Sequence, residues 1–96
     1  MRVMLSARMD TQVANKAIKN GAMEKLMQSL AEQLKPEAAY FFAREGERCS
    51  LFVFDMQDSS QLPGIVEPLF EELGARIEIQ PVMNVEELRK GLAAAR

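Results

Sequence analysis

Apolar residues fall at every second position at the start of the chain, which predicts a strand over residues 2–8. Val3, Leu5 and Ala7 share one face, and Arg2, Met4, Ser6 and Arg8 share the other. After an N-cap candidate at Asp10 the spacing becomes helical up to Pro36, through Ala14, Ile18, Ala22, Leu26, Leu30 and Leu34. The pair Asn20-Gly21 predicts a break or kink within this helical segment.

Residues 38–56 predict two strands joined by a tight turn, with Gly46 at the first central position of a type II′ turn. That turn pairs Glu45 with Arg48, and therefore Arg44 with Cys49, Phe42 with Leu51, Tyr40 with Val53 and Ala38 with Asp55. The eight residues of these last four pairs share one face. Ala39, Phe41, Ala43, Ser50, Phe52, Phe54 and Met56 share the other, so both faces of the hairpin are largely apolar.

The remaining residues predict a helix, a strand and a short last helix. Residues 58–74 have helical spacing with an irregular start at Pro63 and a stop at Gly74, and residues 75–82 alternate around Ile77 and Ile79. Asn84 and Glu87 form a capping-box pattern. The order predicts one α+β domain over residues 1–96, a ferredoxin-like βαββαβ fold with a four-stranded antiparallel sheet and a short C-terminal helix.

In this fold both long helices cover one side of the sheet, so one apolar face of the hairpin stays bare. A soluble monomer rarely exposes a patch of that size, and a symmetric dimer covers it with a second copy of the same patch. We therefore expect a homodimer packed through its sheet faces. The sequence leaves open whether the face of Tyr40 or that of Phe41 points toward the helices.

The segments MRVMLSARMD, LKPEAAYFFA, LFVFDM and PLFEELGARIEIQPVMNVEEL, with this element order, resemble the dimeric α/β-barrel superfamily and, within it, a small bacterial family of uncharacterised proteins. The resemblance covers nearly the whole chain. It implies the fold and the dimer more than any activity, since the superfamily includes cofactor-free monooxygenases, isomerase-like enzymes and haem proteins. Haem-binding relatives commonly use a histidine ligand, and this chain has none.

The composition argues against several kinds of catalytic, metal and nucleic-acid site. With no histidine and one cysteine, the chain lacks Ser-His and Cys-His nucleophile arrangements and most zinc-site spacings, so we expect no metal and no cofactor. The formal net charge of −2 argues against nucleic acid as a partner. We expect no membrane association and a cytoplasmic location, because neither a signal peptide nor a membrane span is evident.

Two groups of residues are candidates for a site. Arg8, Arg44, Arg48 and Arg76 are predicted to lie at one end of the sheet, where guanidinium groups could hold an acidic metabolite; the alternative is a solvated rim balanced by Glu45, Glu47 and Glu78. At the other end, Asp55 could be a general base if it is buried, with Tyr40 as proton donor. The alternative is that Asp55 marks a strand end, pairs with Arg2 or caps the turn.

These candidates support two functions of different classes. The first is a homodimeric binding or structural module for a small molecule. The second is a cofactor-free monooxygenase-like or isomerase-like enzyme that acts on a small aromatic or acidic metabolite through Tyr40, Asp55 and an arginine. A redox role for Cys49 ranks below both, because a lone cysteine in an apolar strand is more often a core residue. Whether the protein is an enzyme is open at this point.

Overall fold

The computed structural model describes all residues from 1 to 96 and contains the elements that the sequence predicts. They are, in chain order, β1 (Arg2–Arg8), α1 (Thr11–Lys19), α2 (Ala22–Leu34), β2 (Ala38–Arg44), β3 (Glu47–Asp55), a 3₁₀ turn (Ser59–Gln61), α3 (Leu62–Leu73), β4 (Arg76–Pro81) and α4 (Val85–Ala94).

The four strands form one antiparallel sheet in the order β2-β3-β1-β4. The two β-α-β crossovers interleave, so that β1 and β3 are central while β2 and β4 are the edges. This is the ferredoxin-like arrangement, which confirms the predicted fold class.

The helices cover one face of the sheet and create the core there. Val3, Leu5 and Ala7 of β1 are at most 1% exposed, and Phe52 and Phe54 of β3 are each 2% exposed. They form one cluster with the apolar sides of α1, α2 and α3, among them Ala14, Ala17, Leu26, Leu30, Leu34, Ile65, Leu69 and Leu73. The face of Phe41 therefore points toward the helices, and the face of Tyr40 is open. We call the latter the open face.

Local signals end the helices where the sequence predicts. The Asp10 side chain accepts a hydrogen bond from the Val13 N–H at 2.9 Å, and Gly21 has a φ of 83°, which separates α1 from α2. Gly74, with a φ of 54°, ends α3 in the left-handed region that favours glycine. Asn84 and Glu87 cap each other through both hydrogen bonds of the capping box.

The hairpin turn differs from the prediction. Arg44 pairs with Glu47 and Tyr40 with Leu51, so the pairing is shifted by two residues from the expected register. Glu45 and Gly46 are the two central residues, with φ values of 52° and 78°, and positive values at both positions characterise a type I′ turn rather than type II′. A shift of two residues keeps every side chain on its predicted face.

The last helix, α4, lies outside the core. None of its residues is buried, and Val85, Leu88 and Leu92 are 63%, 43% and 58% exposed. Its first turn is tied to β1 by an ion pair between Arg2 and Glu87. None of the helices has the length and apolar character needed to cross a membrane.

We predict that Glu45→Asn stabilises the fold by up to about 1 kcal/mol, because asparagine adopts a positive φ at lower cost and Asn-Gly is the preferred type I′ pair. Chemical denaturation at neutral pH measures the change. Glu45→Gln is the matched control, since it also removes the exposed Arg8–Glu45 ion pair but keeps an unfavourable turn residue. Equal stability of the two variants would contradict the assignment of the gain to the turn.

Candidate functional site

Three of the four candidate arginines line one cleft on the open face. Arg8 of β1 lies directly opposite Arg76 of β4 and, on its other side, opposite Cys49 of β3. Arg44 reaches the same place from β2. The cleft has a volume of about 160 Å³, and its lining residues are Ser6, Ala7, Arg8, Arg44, Cys49, Arg76 and Glu78.

The charges in this cleft are only partly compensated. Arg8 Nη1 lies 3.2 Å from Glu45 Oε2 and 3.8 Å from Glu47 Oε1. The Arg44 guanidinium carbon lies 5.6 Å from the Phe42 ring centroid, a cation–π contact. Arg76 forms no salt bridge, since none of the carboxylates lies within 4 Å of its guanidinium nitrogens.

Directly opposed like charges on neighbouring strands destabilise a sheet, because such side chains have Cβ atoms only about 5 Å apart. The Arg8–Arg76 pair is such a case. An exposed ion pair such as Arg8–Glu45 contributes at most about 1 kcal/mol. A bound anion between the two guanidinium groups would relieve the repulsion and bind through charge-assisted hydrogen bonds.

The fourth arginine, Arg48, lies at the same end of the sheet but on the helix side. Its Nη2 donates to Asn15 Oδ1 of α1 at 3.1 Å. The structure therefore brings Arg8, Arg44 and Arg76 together but places Arg48 on the other side of the sheet. Successive residues of a strand point to opposite faces, so Arg48 and Cys49 cannot both project from the open face.

Arg48 instead lies at an open apolar groove between the first two helices and the β2–β3 hairpin. The groove has a volume of about 380 Å³. It is lined by Met9, Ile18, Met23, Met27, Phe41, Phe42, Ala43, Arg48 and Cys49. Phe41 is 62% exposed there, even though its ring packs edge-to-face on that of Phe52 with 6.1 Å between the ring centroids. The helices thus leave the β2 side of the sheet incompletely covered.

The second candidate pair, Asp55 and Tyr40, does not form a site. Tyr40 pairs with Leu51, four residues before Asp55, which places the two side chains about 13 Å apart along the strands. Tyr40 is 63% exposed. The cavity beside Asp55 is only about 40 Å³, close to the volume of one water molecule.

Asp55 is also in the wrong environment for a general base. Its side chain is 65% exposed; it accepts a hydrogen bond from the Met1 amino group at 2.6 Å and one from Gln57 Nε2 at 2.6 Å. The hydrogen bond from the N-terminal ammonium, that from Gln57 and the ammonium charge hold the pKa of Asp55 below its ordinary 3.8. Desolvation, which raises the pKa, is outweighed by these contacts, and the burial on which the general-base interpretation of Asp55 depends is not found.

The two buried side chains that carry a hydroxyl or a thiol, Ser50 and Cys49, are not arranged as nucleophiles. Ser50 is fully buried among the apolar residues, and its hydroxyl has no hydrogen-bond partner, hence no base. Cys49 is 5% exposed and has one weak contact, from Sγ to the Glu47 carbonyl oxygen at 3.8 Å. No group of three or more cysteine, aspartate or glutamate side chains is arranged to hold a metal ion.

Comparison with known proteins places the chain in a family. The family described as "Domain of unknown function (DUF3303)" matches residues 1–96. The chain belongs to this family. DUF3303 carries no assigned activity, so membership agrees with the resemblance to uncharacterised proteins and leaves the function to be inferred from the site.

Other comparisons bear on the fold alone. A de novo designed protein, "Ferredog-Diesel", is similar to the chain with a TM-score of 0.53 and 12% sequence identity, over 84% of this chain and 85% of the designed one. At that identity the similarity supports the ferredoxin-like fold and no function. No curated protein matches the chain in sequence.

Two features of this region were not evident from the sequence. The opposition of Arg8 and Arg76 depends on the register between β1 and β4, which lie far apart in the chain. The Met1 amino group at Asp55 depends on the β1–β3 register in the same way. The apolar groove was weakly indicated in the sequence by the number of methionines, seven in the chain. Met9, Met23 and Met27 are among the residues that line it.

We predict that N-terminal acetylation raises the pKa of Asp55 toward 3.8, because it removes the ammonium charge and its hydrogen bonds. In the unmodified chain Asp55 contributes stability fully above pH 3.8, and this contribution is lost as the pH falls through the lowered pKa. NMR titration of the side-chain carboxyl measures the pKa.

Asp58 is the internal control in the same titration. Its pKa is also lowered, by hydrogen bonds from the hydroxyl and the backbone N–H of Ser60, and these do not involve the N-terminus. Acetylation should leave the pKa of Asp58 unchanged. Equal movement of both carboxyl groups would contradict the contact between Met1 and Asp55.

Proposed function

We propose that this DUF3303 protein is a homodimeric binding module for a small anionic metabolite. The observation that carries the proposal is the opposition of Arg8 and Arg76 across β1 and β4, on the wall of a cleft that also includes Arg44. A structural role for two facing guanidinium groups is hard to justify, since they repel each other and only Arg8 has carboxylate partners.

The chemistry of the cleft favours a small carboxylate or phosphate. Guanidinium groups bind both anions through pairs of parallel hydrogen bonds. A volume of about 160 Å³ suits a compound of a few heavy atoms rather than a nucleotide. Ser6 and Glu78 line the same cleft, so a ligand that also carries a hydroxyl or amino group would find a hydrogen-bond acceptor beside the arginines.

Binding is better supported than catalysis. The enzymatic alternative relied on Asp55 and Tyr40, which lie apart, are exposed and enclose no pocket of useful size. The large apolar groove holds Arg48 and Cys49 but no carboxylate that could act as a general base. The pair Asp55 and Tyr40 therefore gives no support to a monooxygenase-like or isomerase-like activity.

The open face supports the homodimer. Its half formed by β2 and β3 displays Tyr40 at 63% and Phe42 at 36% exposure, next to the half-exposed side chains of Leu51 and Val53. The half formed by β4 is polar, with Arg76, Glu78 and Gln80. Packing of the apolar halves of two copies would remove the patch from water, as in the dimeric α/β-barrel arrangement that the sequence resembles.

We predict that a screen of small mono- and dicarboxylates and of inorganic phosphate will find a ligand that raises the melting temperature by several degrees. One hundred times Kd of ligand contributes about 2.7 kcal/mol, and about 1 kcal/mol shifts the midpoint of a domain of this size by about 4–8 °C. Arg76→Gln should weaken binding of that ligand at least tenfold, because it removes one charged arm of the cleft.

The matched control is Arg96→Gln, which removes one positive charge at an exposed position outside the cleft. All affinities are measured at one ionic strength, which is kept constant with sodium chloride. A loss of affinity then reports a lost contact and not the screening of charges by salt. Equal affinity of wild type and Arg76→Gln for every ligand found would refute the arginine cleft as the site.

We also predict that the wild-type chain is a dimer at micromolar concentration and that Leu51→Glu converts it to a monomer. Leu51 lies at the centre of the apolar half of the open face, so a carboxylate there would be buried without a partner. Gln80→Glu adds the same charge to the polar half and should leave the dimer intact. Native mass spectrometry distinguishes the species, and a monomeric wild type would end the dimer proposal.

A further inference from the structure

Helix α4 displays an apolar stripe that its own chain leaves largely exposed. Val85, Leu88 and Leu92 recur at positions i, i+3 and i+7, which places them on one side of the helix. All three are more than 40% exposed, and no residue of α4 is buried. The radius of gyration of 15.1 Å exceeds the roughly 12.5 Å of a compact chain of this length, in agreement with a projecting helix.

A helix of ten residues gains most of its stability from packing against other surfaces. Isolated helices shorter than about 12–15 residues are marginal in water. The capping box and the ion pair between Arg2 and Glu87 fix only the first turn. The turns that carry Leu88 and Leu92 are not buried against the rest of the chain, so a second surface could add the packing that they lack.

The edge strand β2 is a second apolar surface that the chain leaves exposed. It spans seven residues with no proline, its only charge is Arg44 at the end, and every residue after Ala38 is exposed. Tyr40 and Phe41 are 63% and 62% exposed on opposite faces. A long, apolar and unpaired edge promotes aggregation unless something covers it.

The two surfaces do not cover each other within this chain, since Leu88 and Leu92 of α4 and Tyr40 and Phe41 of β2 all stay exposed. Strands β2 and β4 are the opposite edges of the sheet, about 14 Å apart across three strand spacings, and α4 follows directly from β4. Arg2, which holds the first turn of α4, alternates with the buried Val3 and so projects from the open face. Helix α4 thus starts on the side of the sheet where the second copy is proposed to lie.

A twofold arrangement brings them together. When the apolar halves of two open faces overlap about an axis parallel to the strands, β1 and β4 of each subunit extend beyond the β2 edge of the other. Helix α4, about 15 Å long, is then placed beside a β2 strand about 23 Å long.

The size of the apolar half also calls for this contact. Two strands of this length cover roughly 220 Å² of the plane of the sheet, so contact through them alone would be small beside a standard interface, in which each partner buries about 800 Å² of accessible surface.

Resting on the proposed homodimer, we infer that α4 is an exchanged arm whose apolar stripe covers the β2 edge of a second copy of this chain. The arm gives the interface the area that the sheets alone lack. It also removes the two exposed surfaces at once, since each subunit donates one helix and receives one.

The test compares a double variant, Leu88→Glu with Leu92→Glu, against Lys90→Glu on the opposite side of the helix. Glutamate favours helix, so all three substitutions preserve helix propensity. Sedimentation equilibrium should show a dimer dissociation constant at least tenfold higher for the double variant and within twofold of wild type for Lys90→Glu. Hydrogen exchange of residues 38–44, measured where each protein is dimeric, should accelerate only in the double variant.

The outcomes separate the two proposals. If the double variant dimerises as tightly as wild type while Leu51→Glu is monomeric, the arm is refuted and the sheet-face dimer stands. If wild type is itself monomeric at micromolar concentration, both are refuted. Tighter exchange protection of residues 38–44 in the double variant than in wild type would also overturn the arm.

Discussion

One-sided burial of the sheet is the constraint on which the rest of the structure depends. Helices α1, α2 and α3 pack against a single face, where Leu5, Phe52 and Leu69 are at most 2% exposed. The opposite face of the same strands receives no cover from the chain. Because β3 is apolar on both sides, the chain buries only one of its two apolar faces. The open face, the β2 edge and the stripe of α4 are the apolar surfaces that stay exposed.

Local signals made most of the fold predictable. The caps at Asp10, Gly74 and Asn84 depend on hydrogen bonds and backbone angles within a few residues, so the sequence contains the information that places them. The division of strand residues between two faces follows from alternation alone. The turn at Glu45-Gly46 was less predictable, because a glycine fits either central position and the apolar pattern of the hairpin is identical after a shift of two.

The candidate site was less predictable, since it depends on pairs of residues that are distant in sequence. Arg8 and Arg76 oppose each other only through the β1–β4 register. The pKa of Asp55 is lowered by the amino group of Met1, which lies 54 residues away in sequence. A buried aspartate would instead have a raised pKa, as a general base needs. Arg48 could have been separated from the other arginines by alternation, because its neighbour Cys49 belongs to the opposite face.

The hairpin pairing described above has a consequence for how this family can vary in length. Because faces alternate with a period of two, adding or deleting two residues at the tip of the β2–β3 hairpin leaves every apolar side chain on its original side. A change of one residue would exchange the two faces of the edge strand β2 and turn Tyr40 and Phe42 toward the helices, unless a bulge or a longer loop absorbed it, because β3 is also held by β1. Even-numbered length changes within the paired strands are thus the ones that keep every side chain on its face without a bulge or a longer loop.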